Sequence, residues 1–210
     1  MGCAYGRDHV SEEEATIQRG EDSLPLSKQP IEKVLAAFDA AGSGTFFAMP
    51  EYTRLKRELG LSKLTALQNE LFQQFQRAEG YDRRQLLLLA LLLCQGSTES
   101  RAKALFTLYG DAAGLRHTEA QRMVEDMVTI AVSRTTILVD TTETLKTYLQ
   151  RLDDRRAQAC VDILQVCTAQ RDLTSEAEFL TAFEQVEVSQ LLTCKGIRTF
   201  VSGKAQTKQR

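Results

Sequence analysis

Gln85-Leu-Leu-Leu-Leu-Ala-Leu-Leu-Leu-Cys94-Gln-Gly96-Ser-Thr-Glu99 is the stretch on which the reading of the fold turns. Its unbroken apolar run, Leu86 to Cys94, is half the length a bilayer-spanning helix needs, so it reads as a helix buried in a protein core. Gly96 stops that helix, and Ser97-Thr98-Glu99 starts another with a hydroxyl cap and an early acid. The second helix carries Ala102, Leu105 and Phe106 to Tyr109, and a short loop runs from Gly110 to Arg116. A third helix begins near His117 and lines up Met123, Val124, Met127, Val128 and Ala131. This order of helix, break, helix, short loop and helix predicts an all-α fold of about four paired helix–loop–helix units.

The 210-residue chain is long enough for one large or two small domains with a substantial core. Three prolines, no tryptophan and many Leu, Ala, Gln, Glu and Arg favour helix throughout. A formal net charge of −2 gives no overall attraction to nucleic acid, and none is expected as a partner. The five cysteines, Cys3, Cys94, Cys160, Cys167 and Cys194, include no C-x-x-C pair. With no secretory signal they read as reduced thiols of a cytosolic protein. Cys160 and Cys167, two turns apart on one helix, read as core residues.

Chemically, the sharpest signal is Met1-Gly2-Cys3-Ala4-Tyr5-Gly6. Removal of Met1 exposes Gly2 for N-myristoylation, with a small Gly at position 6 in place of the preferred Ser or Thr. Cys3 beside it is a natural palmitoylation acceptor, and two chains hold a membrane where one binds only marginally. The alternative is a chance Met-Gly-Cys start on a disordered tail. Residues 7–29 are polar; Ser11 and the following acids cap a short helix to about Gly20, and the Pro25 and Pro30 region reads as a spacer. Residues 1–29 are therefore expected to be a flexible, acylated segment.

The first unit opens with Ile31, Val34, Leu35 and Phe38, followed by Asp39-Ala-Ala-Gly-Ser-Gly44-Thr-Phe46. Counted from Asp39 as a twelve-residue calcium loop, Gly44 and Phe46 fall correctly, but Ala41 and Pro50 stand where oxygen ligands belong. Glu51 comes one residue late; if this loop holds calcium, the ligands are Asp39, Ser43, Thr45 and Glu51. The second loop offers only Glu79 and Asp82, with Gln85 at the closing position. In the third, Gly110 to Glu119 spans ten residues where twelve are needed, and Thr118 with Gln121 forms a weak capping box. His117 has no metal-ligand partner nearby and reads as an exposed first-turn residue.

After a polar linker at Ser133 to Thr142, the fourth unit is read as one helix through Leu145, Tyr148, Leu149 and Leu152 and another through Ala157 to Cys167. Ser175 and Glu178 then form a capping box. Residues 30–95 are expected to form one pair of units and 96–193 a second, leaving 194–210 as a basic tail. That tail holds Lys195, Arg198, Lys204, Lys208 and Arg210 and no acid, and is expected to meet anionic lipid or an acidic partner. A solvated, disordered end is the plainer alternative. With two distant histidines and no nucleophile elbow, metal-spaced Cys/His cluster or P-loop, the chain is read as a non-enzyme.

Residues 31–190 resemble the EF-hand scaffold of the calcineurin B and neuronal calcium sensor proteins, where a Gly-Thr/Ser-Glu break joins two EF-hand pairs as Gly96-Ser-Thr-Glu99 does here. Gly114-Leu-Arg-His-Thr-Glu-Ala-Gln-Arg-Met-Val-Glu-Asp-Met-Val128 and Cys194-Lys-Gly196 are similar to the EF-hand-like amino-terminal half of TLD-domain proteins that act at lysosomes. Those proteins also start Met-Gly; unlike them, this chain is expected to lack a TLD domain after Lys195. Together with the shortened loops and the Met1-Gly2-Cys3 start, the resemblance leads to the expectation of a calcium-independent, membrane-tethered adaptor or regulatory subunit that binds a partner's amphipathic helix in an apolar groove and uses no cofactor. The expected location is the cytosolic face of a lysosomal, plasma or ciliary membrane. A calcium switch on the first loop and a structural part of a cytoskeletal or axonemal assembly are the alternatives.

Overall fold

The computed structural model describes residues 11–169 and 171–203. Within them the chain is mainly helical, with a few two- and three-residue strands. Helix α1 (Glu12–Asp22) starts at Ser11, whose hydroxyl accepts from the Glu14 N–H at 3.3 Å. It buries Ile17, and Leu24 and Leu26 follow it into the core through a 3₁₀ turn at Pro25–Lys28. The helix expected after Ser11 forms, while the expectation of a flexible segment is corrected for residues 11–29. Its polar average conceals three aliphatic side chains that all face inward.

Four helix–strand–helix units follow. The first is α2 (Ile31–Ala41), β1 (Phe46–Phe47) and α3 (Met49–Glu58); the second is α4 (Ala66–Gln73), β2 (Gln76–Arg77), β3 (Gly80–Asp82) and α5 (Arg83–Leu93). Antiparallel pairing sets Phe47 opposite Tyr81, and β2 folds back on β3. Between the strands and the helices the Tyr52 and Tyr81 rings stack at 3.6 Å. Helix α5 begins at Asp82, which accepts from Gln85 N–H at 3.0 Å, and buries every residue from Leu86 to Leu92. It can be apolar all round because α2 and the Pro25–Lys28 turn cover it as well as the helices that follow.

The third unit is α6 (Thr98–Tyr109), β4 (Leu115–Arg116) and α7 (His117–Thr129); the fourth is α8 (Glu143–Thr168), β5 (Leu173–Thr174) and α9 (Glu176–Phe183). Strand β4 pairs with β5, and α5 lies against α6 and α7. Ser97 caps α6 by accepting from Ser100 N–H at 3.0 Å. At the junction of the two pairs, Ile31 N–H donates to Gln95 O and Gln95 N–H to Gln29 O, both at 2.8 Å. Gly96 is required there by contact, since a Cβ would come within 2.9 Å of the Ile31 side chain.

Three further expectations change in this half. No cap forms from Thr118; α7 starts after Arg116, and its His117 N–H is taken at 2.9 Å by Asp172 O of the neighbouring loop. The linker at Ser133 to Thr142 is in large part helical: α7 runs on through a π turn, Ile130–Arg134, and a 3₁₀ turn, Thr135–Leu138, with Thr135 and Leu138 buried. The two helices expected in the fourth unit are one, α8, because nothing between Glu143 and Thr168 breaks it. Its polar middle is an outward face.

The described residues end with α10 (Val186–Ser189), a 3₁₀ turn at Gln190–Leu192 and α11 (Cys194–Val201). Residues 194–203 are therefore not a solvated tail. Cys194, Ile197, Arg198 and Val201 point inward, and α11 packs on α7, α8 and the π turn. One continuous hydrophobic cluster includes buried residues from α1 through α11.

Candidate functional site

The first, third and fourth inter-helix turns are closed by the chain's own groups. Pairing of Phe47 with Tyr81 moves the first loop's frame by one residue, so that Glu51 and Gln85 each stand four positions beyond the matched pair. Counted back from Glu51, the loop begins at Ala40, and Asp39 falls within the last turn of α2. This corrects the frame counted from Asp39, because helix α2 absorbs the extra residue. Asp39 is exposed and ion-paired to Arg83 at 3.3 Å. Glu51 Oε2 accepts from Ala48 N–H at 2.8 Å, capping α3, whose N-cap alanine has no side-chain oxygen. Ser43 and Thr45 are exposed, and the Thr45 carbonyl accepts from Arg83 N–H at 3.1 Å.

At the third turn, Asp111 and Gly114 exchange backbone hydrogen bonds at 3.1 Å, and Asp111 Oδ1 accepts from Ala113 N–H. Gly114 has φ of +132°, a conformation that favours glycine. At the fourth, Ser175 and Glu178 complete their capping box, and Arg171 pairs with Glu178. Among the described residues no three of His, Cys, Asp or Glu converge as a metal site.

A buried ionic cluster joins the two ends of the fold. Arg198 is 0% exposed, yet all its guanidinium nitrogens have acceptors. Nε and Nη2 donate to the Glu14 carboxylate, while Nη1 and Nη2 donate to Glu21 at 2.6 and 3.0 Å. Nη1 also donates to the Ala131 carbonyl at 2.9 Å and to Thr135 Oγ1 at 3.2 Å. The π turn leaves that carbonyl facing inward. Tyr148 OH donates to Glu14 Oε2 at 2.9 Å, partly offsetting the surplus of carboxylate. Burial alone would lower the Arg198 pKa, but hydrogen bonds and charge from Glu21 and Glu14 outweigh it and hold the group above its ordinary value.

The expected membrane contact at Arg198 is thereby corrected: a guanidinium committed to two buried carboxylates has no donor left for lipid. Lys195 is half-buried on α11. Gly2, Cys3, Lys204, Lys208 and Arg210 lie outside the described residues. One sequence signal does mark Arg198, because Cys194, Ile197, Arg198 and Val201 share the i, i+3, i+4, i+7 stripe of α11. Glu14, Ile17 and Glu21 do the same on α1.

The apolar inner surface of α7 and α8 is covered by α11, whose Ile197 and Val201 are buried. A different face of the same two helices stays open as a groove of about 940 Å³. Ala157, Cys160, Val161 and Leu164 of α8 form its apolar strip, with Val161 57% exposed. Glu125 and Asp126 of α7 and Asp153 of α8 supply carboxylates around it. Arg156 is held by Thr129 and Ser133 hydroxyls and lies 4.0 Å from Asp153. Asp126 accepts from Tyr109 OH at 2.8 Å and Gln85 Nε2 at 3.1 Å, and burial raises its carboxyl pKa. Those neutral donors fix its position without cancelling its charge. His117 also lines the groove, half-buried at the start of α7.

Free thiols are deep. Burial pushes Cys94 up to about 11 and Cys167 up to about 12, and raises Cys194 well above its ordinary value. Cys160 is half-buried and raised for the same reason. No described helix is long and apolar enough to cross a membrane. In comparison with known proteins, the chain matches no family model, no curated protein and no solved structure.

Proposed function

We propose that the chain is a calcium-independent helical adaptor, built on two pairs of degenerate EF-hand units and tethered to the cytosolic face of a membrane through Gly2 and Cys3. Strand pairing between the first and second turns, and again between the third and fourth, supports the EF-hand reading. Calcium independence is supported by the acids in and beside the loops, since Asp39 at the end of α2, Glu51, Asp111 and Glu178 are each engaged by protein donors. The sequence resemblance to lysosomal TLD-domain proteins supports the membrane address.

The observation that carries the adaptor role is the open groove between α7 and α8, where Val161 stays 57% exposed. A folded chain gains by covering such a side chain, and a partner helix laid along two others does so. A photo-crosslinking residue at Val161 should capture one defined protein in cells, and the same residue at exposed Met49 should not. Equal capture from both positions sinks the adaptor role. Calorimetric binding of one calcium ion at micromolar concentration would remove the calcium-independent assignment, and an unmodified Gly2 in the intact mass of the native protein would remove the tether.

A further inference from the structure

We infer that the occupant of the α7–α8 groove is a basic amphipathic helix of a partner protein, and this rests on the adaptor reading above. Shape comes first. Ala157, Val161 and Leu164 stand at i, i+4 and i+7 on α8, a strip about two turns long. A third helix seated between two others matches such a strip with its own residues at i, i+4 and i+7, ridge into groove. The stretch of α8 from Asp153 to Gln165 is about 18 Å at 1.5 Å per residue, which asks for at least some twelve residues of helix.

Charge decides the partner's sign. Glu125, Asp126 and Asp153 border the strip, and Arg156 is the one cation of the lining, already committed to Thr129, Ser133 and Asp153. Glu125 bonds to the neutral Gln121 amide, and Asp126 to a phenol and an amide. Neither forms an ion pair among the described residues. Glu125 and Asp126, with Asp153 only loosely paired to Arg156 at 4.0 Å, leave a net negative border that attracts lysines and arginines flanking an apolar stripe and repels the acidic version of the same helix. Arg122 and Arg134 act on Asp126 from farther off and temper this field without entering a bond with it.

The chain's own basic end is the poorer occupant. Lys204-Ala-Gln-Thr-Lys208-Gln-Arg210 matches the carboxylates but has only Ala205 for the apolar strip. A basic amphipathic helix satisfies both features at once.

Two synthetic peptides of about 14 residues test the inference, with leucine at i, i+4, i+7 and i+11 in each. Lysine fills the other positions in the first and glutamate in the second. Fluorescence anisotropy with the full-length protein should show binding of the lysine peptide at least about tenfold tighter than that of the glutamate peptide. Val161→Asp should weaken the lysine peptide by about tenfold or more. Glu125→Lys with Asp153→Lys should reverse the order of the two peptides. These groups are exposed, so circular dichroism of the variants should match that of the parent.

Equal binding of both peptides that Val161→Asp still weakens overturns the basic partner and leaves the adaptor role standing. Lysine-peptide binding insensitive to all three substitutions removes the groove itself. Binding seen only after deletion of residues 204–210 would make the chain's own tail the occupant. A full-length dimer that Val161→Asp splits would make it a second copy. Each of those two results also overturns the proposal.

Discussion

Arg198 has no exposed surface and no unpaired donor, and it holds two carboxylates from a helix more than 170 positions away in sequence. Loss of such a partner leaves buried charge uncompensated, which costs about 3–5 kcal/mol, against a typical domain stability of about 5–15 kcal/mol. Arg198→Met is expected to lower the urea midpoint by a corresponding fraction with little change in slope. Adding Glu14→Leu and Glu21→Met should restore part of the loss, because the stranded carboxylates go too. If Arg198→Met unfolds at the parent's urea concentration, the cluster does not bind α1 and α11 together. Thiol chemistry follows the same burial. In a Cys3→Ser background at pH 8, burial both shields Cys94, Cys167 and Cys194 and raises their pKa values, whereas Cys160, also raised, is only half-buried, so iodoacetamide should label Cys160 first. Mass spectrometry of timed digests gives the order, and faster labelling at Cys94 would contradict it.

Among the elements, α11 is the piece whose placement depends most on a single small residue. Gly196 lies so close to the Gln190 carbonyl that a Cβ would overlap the backbone of the preceding 3₁₀ turn. Neither partner is a flexible side chain, so Gly196→Ala must push the helix outward and break the close packing beneath it. A loss of about 1–3 kcal/mol is expected on chemical denaturation, together with faster amide exchange through α11. Unchanged exchange would mean that the turn yields instead. Local signals made many elements legible: Ser11, Ser97 and Ser175 each cap the helix that their position announces. The length of α8 was not legible, since Asp153-Asp154-Arg155-Arg156 has the composition of a loop and only tertiary packing on α7 shows it as one side of a helix. The inward turn of α11 was half legible. Its apolar stripe is written in the sequence, but cations around it and the charge on Arg198 suggest solvent until Glu14 and Glu21 are seen opposite.

At the scale of the whole molecule, the sequence divides naturally at Gly96, and the structure crosses that line repeatedly. Helix α4 packs on the Thr135–Leu138 turn, and Arg134 stacks over the Phe75 ring at 4.4 Å. Arg101 donates to Leu192 O at 3.1 Å and also to the Cys94 carbonyl. Gln68 reaches Ser23 near the amino-terminal helix, which in turn holds Arg198 near the other end. The groove's Asp126 is likewise positioned across the divide, by Gln85 of α5 as well as Tyr109 of α6. Chains of this length often unfold by parts, so cooperativity is a real test here. Neither pair can unfold while leaving the other's surface covered, and the clamp between α1 and α11 opens if either pair melts. One transition is therefore expected, with equal calorimetric and van't Hoff enthalpies and with Phe75→Trp and Phe183→Trp reporters following the same urea curve. The two sites lie in different pairs. If the Phe75→Trp signal moves first by a resolvable margin, the halves are separate folding units, and the groove keeps its shape without the first pair. Coincident curves tie the groove to the whole chain, so that any lesion loosening the clamp also loosens the site.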